Sequence, residues 1–129
     1  MEKKNKIDKK VLIVDDEEPT LNVFLDSFMA EGFTVFGAEN GQVGLELALK
    51  EHPDMILLDI NMPVMDGLTM INLLRDNDWG KQAQIMLLTN LSDLNKVAKA
   101  TEKGVFDYFL KKDWKTEDII KKVKEKLGV

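Results

Sequence analysis

The sequence contains no cysteine and a single histidine, His52. Without thiols there is no disulfide framework, no thiolate zinc site and no cysteine nucleophile. With one imidazole, a Ser-His-Asp triad and a multi-histidine metal centre are both poor readings. No apolar run approaches the roughly 20 residues needed to cross a bilayer. The N-terminal MEKKNKIDKK is charged and has no apolar segment behind it, so no export signal is read and a cytoplasmic location, with no membrane partner, is expected. Basic charge is not in surplus either. With 23 acidic against 18 basic residues the formal net charge is −5, which argues against nucleic-acid binding by this domain alone. The chemistry left to the chain belongs to carboxylates, hydroxyls, lysines and hard cations.

What is present is regular. The 129 residues give room for one domain, with residues 1–9 read as a charged tail and 10–129 as the folded unit. Residues 11–14, 55–58 and 85–88 are short, continuous apolar runs, the pattern of central parallel strands covered on both faces. Residues 33–37 and 106–110 read as two further strands. Between the strands, Leu21, Phe24, Leu25 and Phe28 recur at helical spacing, with Pro19 near the start and Gly32 past the end. Asn40 is expected to cap a helix that turns Val43, Leu47 and Ala48 inward and finishes before Pro53. A third helix carries Leu68, Ile71 and Leu74, a short fourth covers 92–102 before Gly104, and a fifth turns Ile119, Ile120, Val123 and Leu127 inward. Strict strand–helix alternation predicts an α/β fold: a doubly wound five-stranded parallel sheet, order 2-1-3-4-5, with five helices on both faces. The ligand crevice of such a sheet lies outside the carboxyl ends of strands 1 and 3.

The informative pattern is where the strands stop. The first stops at Asp15-Asp16, the third at Asp59, the fourth at Thr89 and the fifth at Lys111. In a parallel sheet these ends share one edge, so carboxylates, a hydroxyl and an ammonium converge. Two unit charges about 4 Å apart repel by about 4 kcal/mol at an effective dielectric near 20, so clustered carboxylates need a cation, a lysine or protonation to coexist. Oxygen ligands select a hard ion, and few protein ligands with remaining waters suit Mg²⁺ better than Ca²⁺. A carboxylate beside such an ion, with a lysine and a hydroxyl aimed at the same place, is equipment for phosphoryl transfer onto an aspartate.

The segments VLIVDDE, MILLDINMPVMDG, the threonine of IMLLTN, and GVFDYFLKK resemble, in that order and at similar intervals, the receiver domains of response regulators in two-component signal transduction. The resemblance runs from Val11 to the last helix and is to the chemotaxis-type, flavodoxin-like receiver. It implies that Asp59 is the phosphoacceptor, taking phosphate from a sensor histidine kinase, a phosphotransfer protein or a small phosphodonor. It implies Mg²⁺ held by Asp15, Asp16, Asp59 and the backbone carbonyl of Asn61. Lys111 would pair with the phosphate, Thr89 would move to hydrogen-bond it, and Tyr108 would rotate inward with that movement. The surface of helix 4, strand 5 and helix 5 would then switch toward an unknown downstream protein. Pro63 and Gly67 would shape the loop after Asp59. The role implied is a signalling phosphoprotein, not an enzyme turning over a separate substrate. Two positions depart from the family pattern. Lys112 stands where proline is usual, which leaves the Lys111–Lys112 peptide open between cis and trans. Asn90 stands where a small residue is usual, and with Leu91 it is expected to shield the acyl phosphate.

Other readings fit less well. An aspartyl-nucleophile phosphatase wants a D-x-D pattern after strand 1, where Asp15 and Asp16 are adjacent. A flavin carrier wants a hydroxyl-rich phosphate loop where Asp15-Asp16-Glu17 would repel the phosphate. A receiver-like interaction module that is never phosphorylated has no need of the complete acidic set. His52 reads as a solvated residue, the lysines of the last helix as a solvated face broken by Glu117, Asp118 and Glu125, and Trp114 as either partner surface or packing on strand 5. Whether the receiver acts alone or within a longer regulator stays open.

Overall fold

A computed structural model of the protein describes residues 6–129, so the first five residues of the charged N-terminal segment lie outside the described residues. The described part of that segment is tied down. The Ile7 N–H donates to the Gly32 carbonyl at 2.9 Å, and the Ile7 side chain is partly buried against the core.

The elements alternate as the sequence pattern requires: β1 (Lys10–Val14), α1 (Glu18–Ala30), β2 (Thr34–Ala38), α2 (Gly41–Glu51), β3 (Met55–Asp59), α3 (Gly67–Arg75), β4 (Ile85–Thr89), α4 (Leu94–Thr101), β5 (Asp107–Leu110) and α5 (Thr116–Leu127). Single 3-10 turns at Gly80–Gln82 and Leu91–Asp93 flank β4. All four strand pairings are parallel, and the order is β2-β1-β3-β4-β5. Local chemistry sets the helix ends. Asn40 and Asp66 each accept a backbone N–H of their own helix's first turn, from Val43 at 2.9 Å and Thr69 at 2.8 Å. Gly32 and Gly128, at φ of 105° and 71°, end α1 and α5.

Strand alternation splits the core in two. Leu12, Val14, Ile56, Leu58, Ile85 and Leu87 face Ala48 of α2, Met70, Ile71 and Leu74 of α3, and Ala100 of α4. Val11, Ile13, Met55, Leu57, Met86, Leu88 and Phe109 face Leu21, Phe24 and Phe28 of α1 and Ile119, Ile120 and Val123 of α5. Both faces of the central strands are therefore covered, which is why their sequences are apolar without interruption.

The sequence reading needs correction in four places. Val43 is 39% exposed, and Gly44 takes the inward position on α2, its backbone close against the side chains of Val14 and Met70. β2 runs one residue later than expected, over Thr34–Ala38. α4 begins only at Leu94, after the 3-10 turn, and ends at Thr101. Phe106 precedes β5 and is exposed. Val43→Ala should therefore change unfolding free energy by no more than about 0.5 kcal/mol. Leu57→Ala, in the fully buried centre of β3, should lose about 2–5 kcal/mol. Urea denaturation of both variants measures the contrast.

Candidate functional site

The alternation that builds the core also aims the site. Beyond Val11 and Ile13 the same face of β1 continues to Asp15; beyond Met55 and Leu57, β3 continues to Asp59; beyond Phe109, β5 continues to Lys111. These three side chains meet. Lys111 Nζ donates to Asp15 Oδ2 at 3.1 Å and to Asp59 Oδ2 at 3.2 Å, and reaches Glu17 Oε1 at 3.3 Å. Asp15 is fully buried and Asp59 is 4% exposed. The second oxygen of Asp15 accepts the Glu17 N–H at 2.9 Å, and its own N–H donates to the Ala38 carbonyl at 3.0 Å. The Lys111 backbone N–H donates to the Thr89 carbonyl at 2.9 Å, so the β4–β5 ladder carries the lysine to the sheet edge. The peptide from Lys111 to Lys112 is trans.

Burial pushes the Asp59 carboxyl up to about 7; the charges of Asp15 and Asp16 add to the rise and Lys111 opposes it. Burial alone would lower the Lys111 ammonium, yet Asp59 and Asp15 together hold it above its usual value. Desolvated carboxylates and their lysine thus depend on one another.

The loop after Asp59 is held from two sides. The Gly67 N–H donates to the Ile60 carbonyl at 2.8 Å, and a Cβ at Gly67 would lie 2.5 Å from the Asp59 carbonyl oxygen. The Gly41 N–H donates to the Met65 carbonyl at 2.9 Å, where a Cβ would approach to 2.4 Å. Pro63 is exposed in this loop, and Val64 has φ of +68° and is 82% exposed, an uncommon conformation for a β-branched residue. Met62 and Met65 pack partly against the core.

The remaining expected residues take varied positions. Thr89 is fully buried and falls on the opposite alternation from Asp59; its hydroxyl donates to the Asn90 carbonyl at 3.1 Å. Asp16 is exposed at the rim and outside the tightest carboxylate group, although its charge acts on Asp59. Glu17 instead completes that group. One carboxylate oxygen from each of Asp15, Glu17 and Asp59 lies within 4.8 Å of the others. Sequence reasoning gave Glu17 no role beyond repulsion; the run of four acids after β1, residues 15–18, was the signal that could have found it. Asn61 turns its side chain away, toward α4, and Tyr108 points outward, 45% exposed. Trp114 both packs edge-on to Phe109, with centroids 4.8 Å apart, and remains partly exposed. His52 is exposed and stacks flat on Trp79 at 4.3 Å. A donor set made of carboxylate oxygens, drawn together by a cationic side chain, fits a hard divalent cation and not a soft one.

The raised Asp59 pKa has a stability consequence. Between its unfolded value near 3.8 and about 7 the folded state holds a proton there that the unfolded state releases, so this group's contribution falls as pH rises through that window. Asp59→Asn should therefore stabilise the metal-free protein at pH 7–8, by at most about 4 kcal/mol, with the gain vanishing toward pH 4. Thermal melts of both proteins across that range check this.

Comparison with known proteins agrees with this geometry. The family model for the response regulator receiver domain matches residues 11–124. Sporulation initiation phosphotransferase F of Bacillus subtilis is 30% identical over 105 residues, covering 81% of this chain and 83% of that protein. Regulatory protein AtoC of Escherichia coli is 33% identical over 102 residues, but this chain spans only 22% of its length. Among solved structures, chemotaxis response regulator CheY4 of Vibrio cholerae aligns with a TM-score of 0.82 and 27% identity over 91% of this chain and 97% of that one. A chain of the CheX–CheY–BeF3–Mg²⁺ complex of Borrelia burgdorferi aligns at 0.80 with 26% identity, over 92% of this chain and 89% of that one. Fold, edge chemistry and family match coincide over nearly the same residues, and the chain belongs to the receiver domain family of response regulators, the signalling domains of two-component systems.

Proposed function

We propose that the protein receives a phosphoryl group on Asp59, with Mg²⁺ bound beside it, and relays the change through its α4–β5–α5 surface. The observation that carries this reading is the buried Asp59 carboxylate bonded to Lys111 at 3.2 Å, beside the buried Asp15. A carboxylate stripped of water is a nucleophile held in one place. Its free oxygen would attack phosphorus in line while the bond from phosphorus to the donor's nitrogen or oxygen breaks and the donor keeps the electron pair. Lys111 would turn one donor toward a phosphoryl oxygen. Mg²⁺, when bound, offsets charge on the phosphoryl oxygens; Asp15, Asp59 and the Asn61 carbonyl would hold it, with Asp16 reaching in from the rim and Glu17 close by. The Thr89 hydroxyl, bonded now only to a neighbouring carbonyl, is free to turn to a new oxygen. Since Thr89 lies on the α4 side of the sheet, its movement would bear on α4, and the outward Tyr108 would follow inward, a two-state element biased by local charge.

The donor would be a sensor histidine kinase or a phosphotransfer protein. A groove of about 470 Å³ beside Lys111, lined by Pro19, Val23, Phe24, Lys112 and Trp114, offers mixed apolar and basic surface at the right place. A relative of similar length is named a sporulation initiation phosphotransferase, which supports a phosphotransfer role here. Among the described residues no helix is long and apolar enough to cross a membrane, in keeping with a cytoplasmic site of action.

Incubation with a small acyl-phosphate donor and Mg²⁺ should add one phosphoryl group by intact mass. Asp59→Ala or chelation should abolish the gain, and Lys111→Ala should slow it by about 10²-fold or more, as for other groups that stabilise developing charge. No gain with any donor would favour an interaction module that is not phosphorylated; continuing release of phosphate from added phosphoesters would favour a phosphatase.

A further inference from the structure

Four polar side chains are buried among the described residues. Asp15, Asp59 and Thr89 belong to the proposed acceptor chemistry; Asp93 does not. It occupies the N-cap position of α4, where aspartate normally accepts a backbone N–H of its own helix, yet it makes no such bond. Its Oδ2 instead accepts the Asn61 side-chain amide at 2.6 Å, across 32 positions of sequence. Lys96, one turn along α4, donates to the other end of that amide, Asn61 Oδ1, at 2.5 Å and pairs with Asp93 Oδ1 at 3.7 Å. The three groups close a ring. Both ends of the Asn61 amide are committed, so an otherwise exposed side chain two residues after Asp59 is fixed in one rotamer.

We infer that Asp93 and Lys96 are positioning residues: they clamp Asn61, and through it hold the loop that aims the Asn61 carbonyl at the metal position and couple that loop to α4. The inference rests on the proposed acceptor reading and adds two residues to it. Neither touches phosphoryl, metal or Asp59. The clamp bridges the two loops that flank the edge of the sheet, so whatever moves α4 must also load the segment that carries the metal-facing carbonyl.

Charge alone and clamping predict opposite signs at Lys96, which gives a decisive test. Lys96→Met removes a positive charge near a cation site, so simple electrostatics would tighten Mg²⁺ binding. Loss of the clamp should weaken it, by about three- to tenfold, the net worth of one ordinary hydrogen bond. Lys96 is one-third exposed, so its replacement spares the core. Calorimetric titration with Mg²⁺ reads the affinity, and hydrogen exchange of the metal-free protein reads the loop: the amides of Asn61, Met62, Val64 and Met65 should exchange faster in Lys96→Met and in Asp93→Ala. Asp93→Ala added to Asn61→Ala should cause no further loss, because the pair acts as one unit. Unchanged or tighter Mg²⁺ binding in Lys96→Met, or additive losses in the double variant, overturns the inference while the acceptor reading stands. A wild-type protein that neither binds Mg²⁺ nor accepts a phosphoryl group overturns the acceptor reading and the inference with it.

Discussion

Everything at the carboxyl edge of the sheet depends on the Lys111 ammonium standing between Asp15 and Asp59. Two carboxylates withdrawn from water repel each other and resist ionisation. One lysine contacting both at 3.1 and 3.2 Å makes the pair tolerable. Such an arrangement is poor evidence of stability, since an apolar trio of similar volume often folds as well or better. It reads as a site held ready, its charge balance open to change when a cation or a phosphoryl group enters. The rise of Asp59 to about 7 expresses the same fact from the proton's side.

The fold delivers these groups by simple geometry. Alternation along β1, β3 and β5 sends Asp15, Asp59 and Lys111 to one face, and β4 sends Thr89 to the other. In the proposed phosphoacceptor role, a site divided in this way would do its chemistry against α1 and α5 and report it toward α4. Close approach of Gly67 and Gly41 to neighbouring backbone pins the loop that follows Asp59, so the chemistry has rigid walls.

The chain announces most of this before any coordinates. Three apolar runs that end in Asp15-Asp16, Asp59 and Thr89 specify the strands and the edge together, because only buried parallel strands are apolar on both faces. Asn40 as a helix cap and the inward residues of α1 and α5 follow from spacing alone. What was not legible depends on tertiary context. Val43 looked inward by helical spacing, but α2 lies so close to β1 that only Gly44 fits there. Asp93 drew no reading from the sequence, because nothing local says that its carboxylate reaches Asn61. Glu17 looked like one more exposed acid until the turn into α1 brought it to Lys111.

The central claim is that one particular carboxylate, Asp59, carries the phosphoryl group. Borohydride reduces an aspartyl phosphate to homoserine, leaving a permanent mark at the acceptor. After phosphorylation and reduction, peptide mass spectrometry should find homoserine at position 59 and nowhere else. Reduction at Asp15, Asp16 or Glu17 instead, with Asp59 untouched, would contradict the account.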